Sequence, residues 1–339
     1  MIYDFFEKGR KFLGVEYPII CGGMTWISDY KLVKAVSGAG GFPVFAGGNM
    51  PPDLFEQEVD QLINGLDKPF AVNLITIAPN YRNHFEIMLT KDVPFVVFAG
   101  NFPKKRDVVA MKEAGKKTMS FASTESIADK QINWGIDALI LEGSEAGGHI
   151  GSVSLTVLLQ QVLFNFRDFP IFVAGGIATG QMMAHLLLMG AYGVQMGTIF
   201  AMSQECSAHE NFKKAFKKAR ARQAVATPQY DSKLPVVAVR SILNKGMAQF
   251  GRLQLELLKK LDAGSITREK AQYEIESYWA GTLRQAVQDG DVQNGSLMAG
   301  QSVGLVNEVK PIKEIMKNLI EDAEEELEML RKEFSKFCK

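Results

Sequence analysis

The sequence predicts a TIM (β/α)8 barrel carrying a C-terminal helical insertion or small domain. Three observations predict it. Eight short runs rich in Val, Ile, Phe and Ala recur between residues 17 and 198, apolar on both faces rather than alternating. About 20 to 33 residues separate successive runs, enough for one crossover helix each. No G-x-G-x-x-G follows the first run, which disfavours the structural alternative, a doubly wound open sheet.

The runs in order are YPIIC (17–21), FPVFAG (42–47), FAVNLI (70–75), FVVFAG (95–100), KTMSFA (117–122), ALILEG (138–143), IFVAGG (171–176) and GVQMGT (193–198). Helical patterns fill the gaps: DYKLVKAVSGAG after the first, PDLFEQEVDQLINGL after the second and TGQMMAHLLLMGA after the seventh. The stretch from Phe169 to Gln204 lacks Asp, Glu, Lys and Arg, but its six glycines parse it as strand, turn, helix and strand, not as a membrane span.

After Thr198 the rhythm stops. Residues 205–280 read as helices: NFKKAFKKARAR, SILNKGMAQFGRLQLELLKKL and TREKAQYEIESYW, the last with Thr267 as N-cap and Glu269 in its first turn. The glycine-rich segment GDVQNGSLMAGQSVGLV (290–306) returns to the barrel mouth as a loop and short helix. Pro311 then opens a helix with Ile312, Ile315, Met316, Leu319, Ile320, Ala323, Leu327, Leu330 and Phe334 on one stripe, and its acidic cluster Glu321 to Glu328 reads as a solvated face. The domain map is 1–204 with 281–310 as the barrel, 205–280 as the insertion and 311–339 as an amphipathic helix.

Composition narrows the class. Among 339 residues, 38 basic and 38 acidic side chains cancel, which supplies no general attraction for nucleic acid or membrane surfaces. At 47% hydrophobic and 22% charged, disorder and collagen-like structure are excluded. Cys21, Cys206 and Cys338 lie far apart, which argues against a disulfide framework, a structural zinc site or an iron–sulfur cluster. Asp4, Glu7, Lys8, Arg10 and Lys11 interrupt any signal-peptide core near the start, so the expected location is the cytoplasm.

Active sites in such barrels lie at the C-terminal strand ends. Gly22, Gly23 and Met24 follow the first run, Gly175 and Gly176 the seventh, and Gln195, Gly197 and Thr198 close the eighth. Paired glycines after strands seven and eight let backbone N–H groups approach a phosphate, although tight turns use glycine too. Asn73, polar in an apolar strand, either satisfies a buried backbone group or hydrogen-bonds a planar ring. His149 lies among Gly147, Gly148 and Gly151 in a loop at the barrel mouth, where it can exchange a proton near neutrality. His84, His185 and His209 compete poorly, on a turn and two helices. No histidine–carboxylate spacing suggests a metal, and no Ser or Cys occupies a nucleophile elbow.

Taken together, GGM-x-W (22–26), SGAGGF (37–42), FAVN (70–73), EGSEAGGHIG (142–151), AGGI (174–177), QMGT (195–198) and GDVQNGSLMAGQ (290–301) resemble the nitronate monooxygenase superfamily of FMN-dependent barrels. Within it, the motifs are most similar to the flavin-type enoyl-acyl-carrier-protein reductases of bacteria, over residues 15–310. The resemblance implies an FMN phosphate on amides near Gly175, Gly176, Gly197 and Thr198. It also implies an isoalloxazine near Gly22, Gly23 and Met24, with Asn73 and Gln195 as polar contacts. Gly147 and Gly148 join that cofactor-binding set, and His149 would be catalytic, with Ser296 and Met298 nearby on the returning loop as substrate or lid residues. Ile199 departs from the Arg that many relatives place after the G-T pair, and residues 220–280 match loosely. Both departures bear on substrate and nicotinamide contacts.

The implied activity is reduction of trans-2-enoyl thioesters by NADPH or NADH. The alternatives are a nitronate monooxygenase, a nicotinamide:quinone reductase, and a flavin-binding module without turnover. The basic stretch Lys213, Lys214, Lys217, Lys218, Arg220 and Arg222 reads first as a solvated face and second as a dock for an acidic acyl carrier protein. The long C-terminal helix suggests a homodimer.

Overall fold

The computed structural model describes residues 2–337, so Cys338 lies outside the described residues. The chain opens with helix α1 (Ile2–Leu13) and alternates through β1 (Ile19–Cys21), α2 (Tyr30–Gly38), β2 (Phe42–Phe45), α3 (Pro52–Gly65), β3 (Ala71–Ile75), α4 (Tyr81–Thr90), β4 (Phe95–Ala99), α5 (Lys105–Glu113), β5 (Lys117–Ala122), α6 (Glu125–Asn133) and β6 (Ala138–Glu142). A short strand β7 (Gly148–Ile150) and a turn of helix α7 (Leu155–Leu158) precede β8 (Ile171–Ala174), α8 (Gly180–Leu188) and β9 (Gly193–Met196). All eight apolar runs are strands. They pair in parallel as β1-β2-β3-β4-β5-β6-β8-β9, and β9 returns to β1 to close the barrel.

Strand alternation divides the apolar side chains between two layers. Ile20, Phe42, Val44, Ala71, Val97, Met119, Ile140 and Phe172 fill the barrel, while Val72, Leu74, Val96, Phe98, Leu139 and Leu141 face the surrounding helices. The N-terminal end of the barrel is plugged by the end of α1. Leu13 joins the interior cluster, and the Phe12 ring meets those of Phe95 and Phe172 at centroid distances of 5.8 Å. Lys117, at the start of β5, fixes that plug by donating to the Phe12 carbonyl at 2.7 Å. Only the C-terminal end is left to hold a ligand.

Beyond β9 come α9 (Thr198–Ala201), α10 (Glu210–Lys218), β10 (Ala224–Ala226), β11 (Ala238–Ile242), α11 (Lys245–Asp262), α12 (Arg268–Arg284) and α13 (Ile312–Phe337). The all-helical reading of 205–280 is corrected here. The basic helix ends at Lys218, and SIL at 241–243 is not a helix start but largely the end of β11. β11 is the centre of an antiparallel sheet ordered β10-β11-β7. Leu234, Val239, Phe250, Leu257, Ala271, Ile275 and Trp279 form a separate small core beneath it. Phe212 and Phe216 of α10 instead join the main core.

The C-terminal helix begins with its Ile312 N–H donating to the Glu205 carboxylate. Its stripe packs mainly on α8: Ile312, Ile315, Met316, Leu319, Ala323 and Leu327 are buried, whereas Phe334 is exposed. Among the described residues, no helix is long and apolar enough to cross a membrane.

Candidate active site

A cavity of about 400 Å3 opens at the C-terminal end of the barrel. Gly22, Gly23 and Met24 line it after β1, Asn73 within β3, Gly175 and Gly176 after β8, and Gln195, Gly197 and Thr198 around the end of β9. Gly147, Gly148, His149 and Met298 complete its rim. Ser296 does not line it. That side chain is buried behind the wall, with its N–H on the Thr282 carbonyl at 2.9 Å and no partner for its hydroxyl.

The floor is polar because three inward strand positions are polar. Asn73, Glu142 and Gln195 occupy interior places that smaller or apolar residues hold lower in the barrel. Asn73 Oδ1 and Gln195 Oε1 are buried without a protein partner. Buried amide oxygens are rarely left so, and a wall that presents them to a cavity fits a planar ligand carrying N–H donors. The first glycine pair gives these amides room. A Cβ on Gly23 would stand 2.9 Å from Asn73 Cβ, and one on Gly22 would stand 3.3 Å from Gln195 Nε2. Ser28 braces the same turn, donating to the Gly22 carbonyl at 2.8 Å and accepting from the Met24 N–H at 3.0 Å.

Across the floor, Gly175 and Gly176 adopt φ of +99° and +73°, a conformation only glycine holds cheaply. That turn brings bare backbone to the cavity, as a phosphate cradle requires. α9, after Gly197, is only one turn long and contributes N–H groups rather than an extended dipole. The Thr198 hydroxyl accepts from the Gly300 N–H at 3.2 Å and ties the returning loop to this corner.

His149 is not on a free loop. It is the middle residue of β7, opposite Val239 of β11, while Met298 bridges to Ser241 farther along β11. One strand of the insertion thus organises both the histidine and the returning loop. The Nε2 atom is buried 3.3 Å from Glu276 Oε2 of α12, close but not aligned as a hydrogen bond. α12 is also held to the barrel by Trp26, whose indole donates to the Ala280 carbonyl at 3.2 Å. Trp26 has φ of +64°, a strained setting for a bulky residue.

Glu142 and His149 are the titratable side chains of the cavity lining. Burial pushes the Glu142 carboxyl up to about 8, and its remaining accessible surface opens onto the cavity. Sequence reasoning missed Glu142, Glu276 and Ser28. A charge ending the apolar run ALIL was a usable signal for Glu142, but nothing local marks Glu276.

Other candidates fall elsewhere. His84 is buried in α4, stacked on Phe55 at 4.1 Å, His185 pairs with Glu326 at 2.8 Å, and His209 caps α10 through Nδ1. Lys213 leaves the basic surface, because its ammonium is buried on the carbonyls of Ser203 and Cys206.

A barrel plugged at its base, with a glycine corner and a polar floor at its open end, has the architecture of a cofactor-binding barrel enzyme. The nitronate monooxygenase family model matches residues 7–85 and 75–322. The chain belongs to the nitronate monooxygenase family and is an FMN-dependent oxidoreductase. It is 28% identical to a (3aS,4S,5R,7aS)-5-hydroxy-7a-methyl-1-oxo-octahydro-1H-indene-4-carboxyl-CoA dehydrogenase of Mycobacterium tuberculosis, covering 92% of this chain and 94% of that protein. It is 26% identical to a probable nitronate monooxygenase of Staphylococcus aureus, covering 91% and 94%. Among solved structures, FabK from Thermotoga maritima matches with TM-score 0.84 and 34% identity over 95% of this chain and 97% of that one. A nitroalkane oxidase from Streptomyces ansochromogenes matches with TM-score 0.77 and 25% identity over 93% and 98%.

Proposed function

We propose that the protein reduces trans-2-enoyl thioesters with NADPH or NADH, acyl carrier protein serving as the thioester carrier. The observation that carries this reading is the outer wall of the cavity. Ile75, Phe102, Ile127, Val237, Leu283 and Met298 supply apolar surface from both barrel and insertion, which suits an acyl chain. The likeness to FabK supports it, as does the carboxyl-CoA thioester in the name of the Mycobacterium relative.

The residues divide the work. Asn73 and Gln195 would hold the flavin ring, and the backbone around Gly175, Gly176, Gly197 and Thr198 its phosphate. Bound FMN supplies the hydride chemistry between nicotinamide and the enoyl β-carbon. His149 donates a hydrogen bond or proton toward the thioester, on whose oxygen negative charge develops. Glu276 keeps the imidazole in place. A positioned donor of this kind contributes about 100- to 10,000-fold.

The family model and the Staphylococcus relatives favour a second reading, oxidation of nitronates. Against it, the lining offers an anionic nitronate no Lys or Arg side chain. Steady-state assays separate the two. NADPH or NADH oxidation that requires crotonyl or longer enoyl thioester, with the saturated thioester as product, is expected. Nitronate-dependent oxygen uptake without enoyl-dependent turnover would put the second reading first.

A further inference from the structure

Along β6, Leu139 and Leu141 face the outer core, and Ala138 and Ile140 face the barrel interior. The same period places Glu142 inside, on the cavity floor. Its register neighbour on β8 is Ala174, whose neighbour on β9 is Gln195, so the acid and the amide flank one small residue in a single row. Gly175 and Gly176 follow immediately. Among the described residues, no side chain or backbone group hydrogen-bonds the Glu142 carboxyl.

We propose that Glu142 is a flavin-binding residue that acts as the neutral carboxylic acid, donating its proton in a hydrogen bond to an acceptor atom of FMN, so that cofactor affinity depends on pH. Two physical arguments support the neutral form. A carboxylate here would be a half-buried charge with no protein partner, and a ligand covering it would make that charge costly. It would also stand beside the corner that receives a phosphate dianion and repel it, whereas the acid can donate.

The surroundings leave it uncompensated. The adjoining strands bring Phe121 and Ser123 on one side and Ala174 and Gly175 on the other. Glu145 commits its carboxylate to the Leu155 N–H at 3.1 Å, and the Arg240 guanidinium is taken by the carbonyls of Ser144 and Ala224. His149 shares the cavity but sits on β7, against Glu276. Consistently, burial alone shifts the Glu142 carboxyl, with no charged neighbour contributing.

The sign follows directly. Below about pH 8 the acid is neutral and affinity is full, and above it the ionised fraction grows and affinity falls. The inference rests on the FMN reading of the cavity, not on the substrate. The test dilutes the holoenzyme at pH 7 and pH 9 and reads released FMN by its recovered fluorescence, with circular dichroism confirming that the fold persists. Wild type should bind about tenfold more weakly at pH 9. Glu142→Gln, which keeps a donor but cannot ionise, should bind about equally at both. Equal affinity of wild type at the two pH values, or a parallel loss in Glu142→Gln, overturns the role of Glu142 while leaving the flavin site standing. A colourless protein that takes up no FMN at pH 7 overturns both.

Discussion

His149 and Glu276 meet only because two distant segments fold together, and their pairing predicts how each responds to substitution. His149→Ala should retain FMN, since the Gly175–Gly176 corner and polar floor are untouched, and should lose about 100- to 10,000-fold in turnover. Near-normal turnover in that variant removes the imidazole from the mechanism. Glu276 lies 3.3 Å from the ring and acts through it. Glu276→Gln should therefore lower kcat by about tenfold in a wild-type background and have little further effect on top of His149→Ala, the signature of coupled residues. Additive losses in the double variant would mean that Glu276 works independently. Residue types already marked His149 as a catalytic candidate, because an imidazole among glycines has few structural reasons to be there. Its partner carried no such mark.

At the scale of elements, the barrel owes its outer wall to close helix contacts. Gly180 opens α8, and a Cβ there would run into the Leu319 carbonyl and stand 2.6 Å from the Ala323 N–H of α13. Because backbone atoms cannot swing aside, Gly180→Ala should cost about 1–3 kcal/mol, measured as a lowered midpoint of denaturant unfolding with an unchanged m-value. An unchanged midpoint would show that α13 can shift without loss. The eight barrel strands were legible because a doubly buried strand writes itself as an apolar run, and each run began and ended close to its strand. β7, β10 and β11 were not. What makes them strands is pairing across the chain, Val239 opposite His149 and Ala224 opposite Ile242, which no local pattern records. The same blindness placed His149 on a loop, and the resemblance put Ser296 beside it as a substrate or lid residue, although its side chain is buried behind the wall.

For the molecule as a whole, the barrel and insertion share one site. The floor and the Gly175–Gly176 corner come from barrel strand ends, and Ile75, Phe102 and Ile127 of the barrel line the apolar wall, while β11 and α12 flank the histidine. The glycines and Asn73 that the sequence singled out do gather around one cavity. The basic stretch does not survive intact, because Lys213 is an internal brace and only its neighbours remain exposed. Charge counting could not separate a lysine that seals a turn from one that meets solvent. For the proposed enoyl reduction, the shared site means a single catalytic cycle in which nicotinamide and enoyl thioester would use the same cavity in turn.

That cycle can be watched directly. The purified holoenzyme, held without oxygen, is mixed with NADPH and then with NADH while its visible flavin absorbance is followed. Rapid bleaching by one or both, with full recovery of the absorbance on adding crotonyl or longer enoyl thioester, is the predicted result. Bleaching that no enoyl thioester reverses, or a flavin that neither nicotinamide bleaches while a nitronate does, would contradict it.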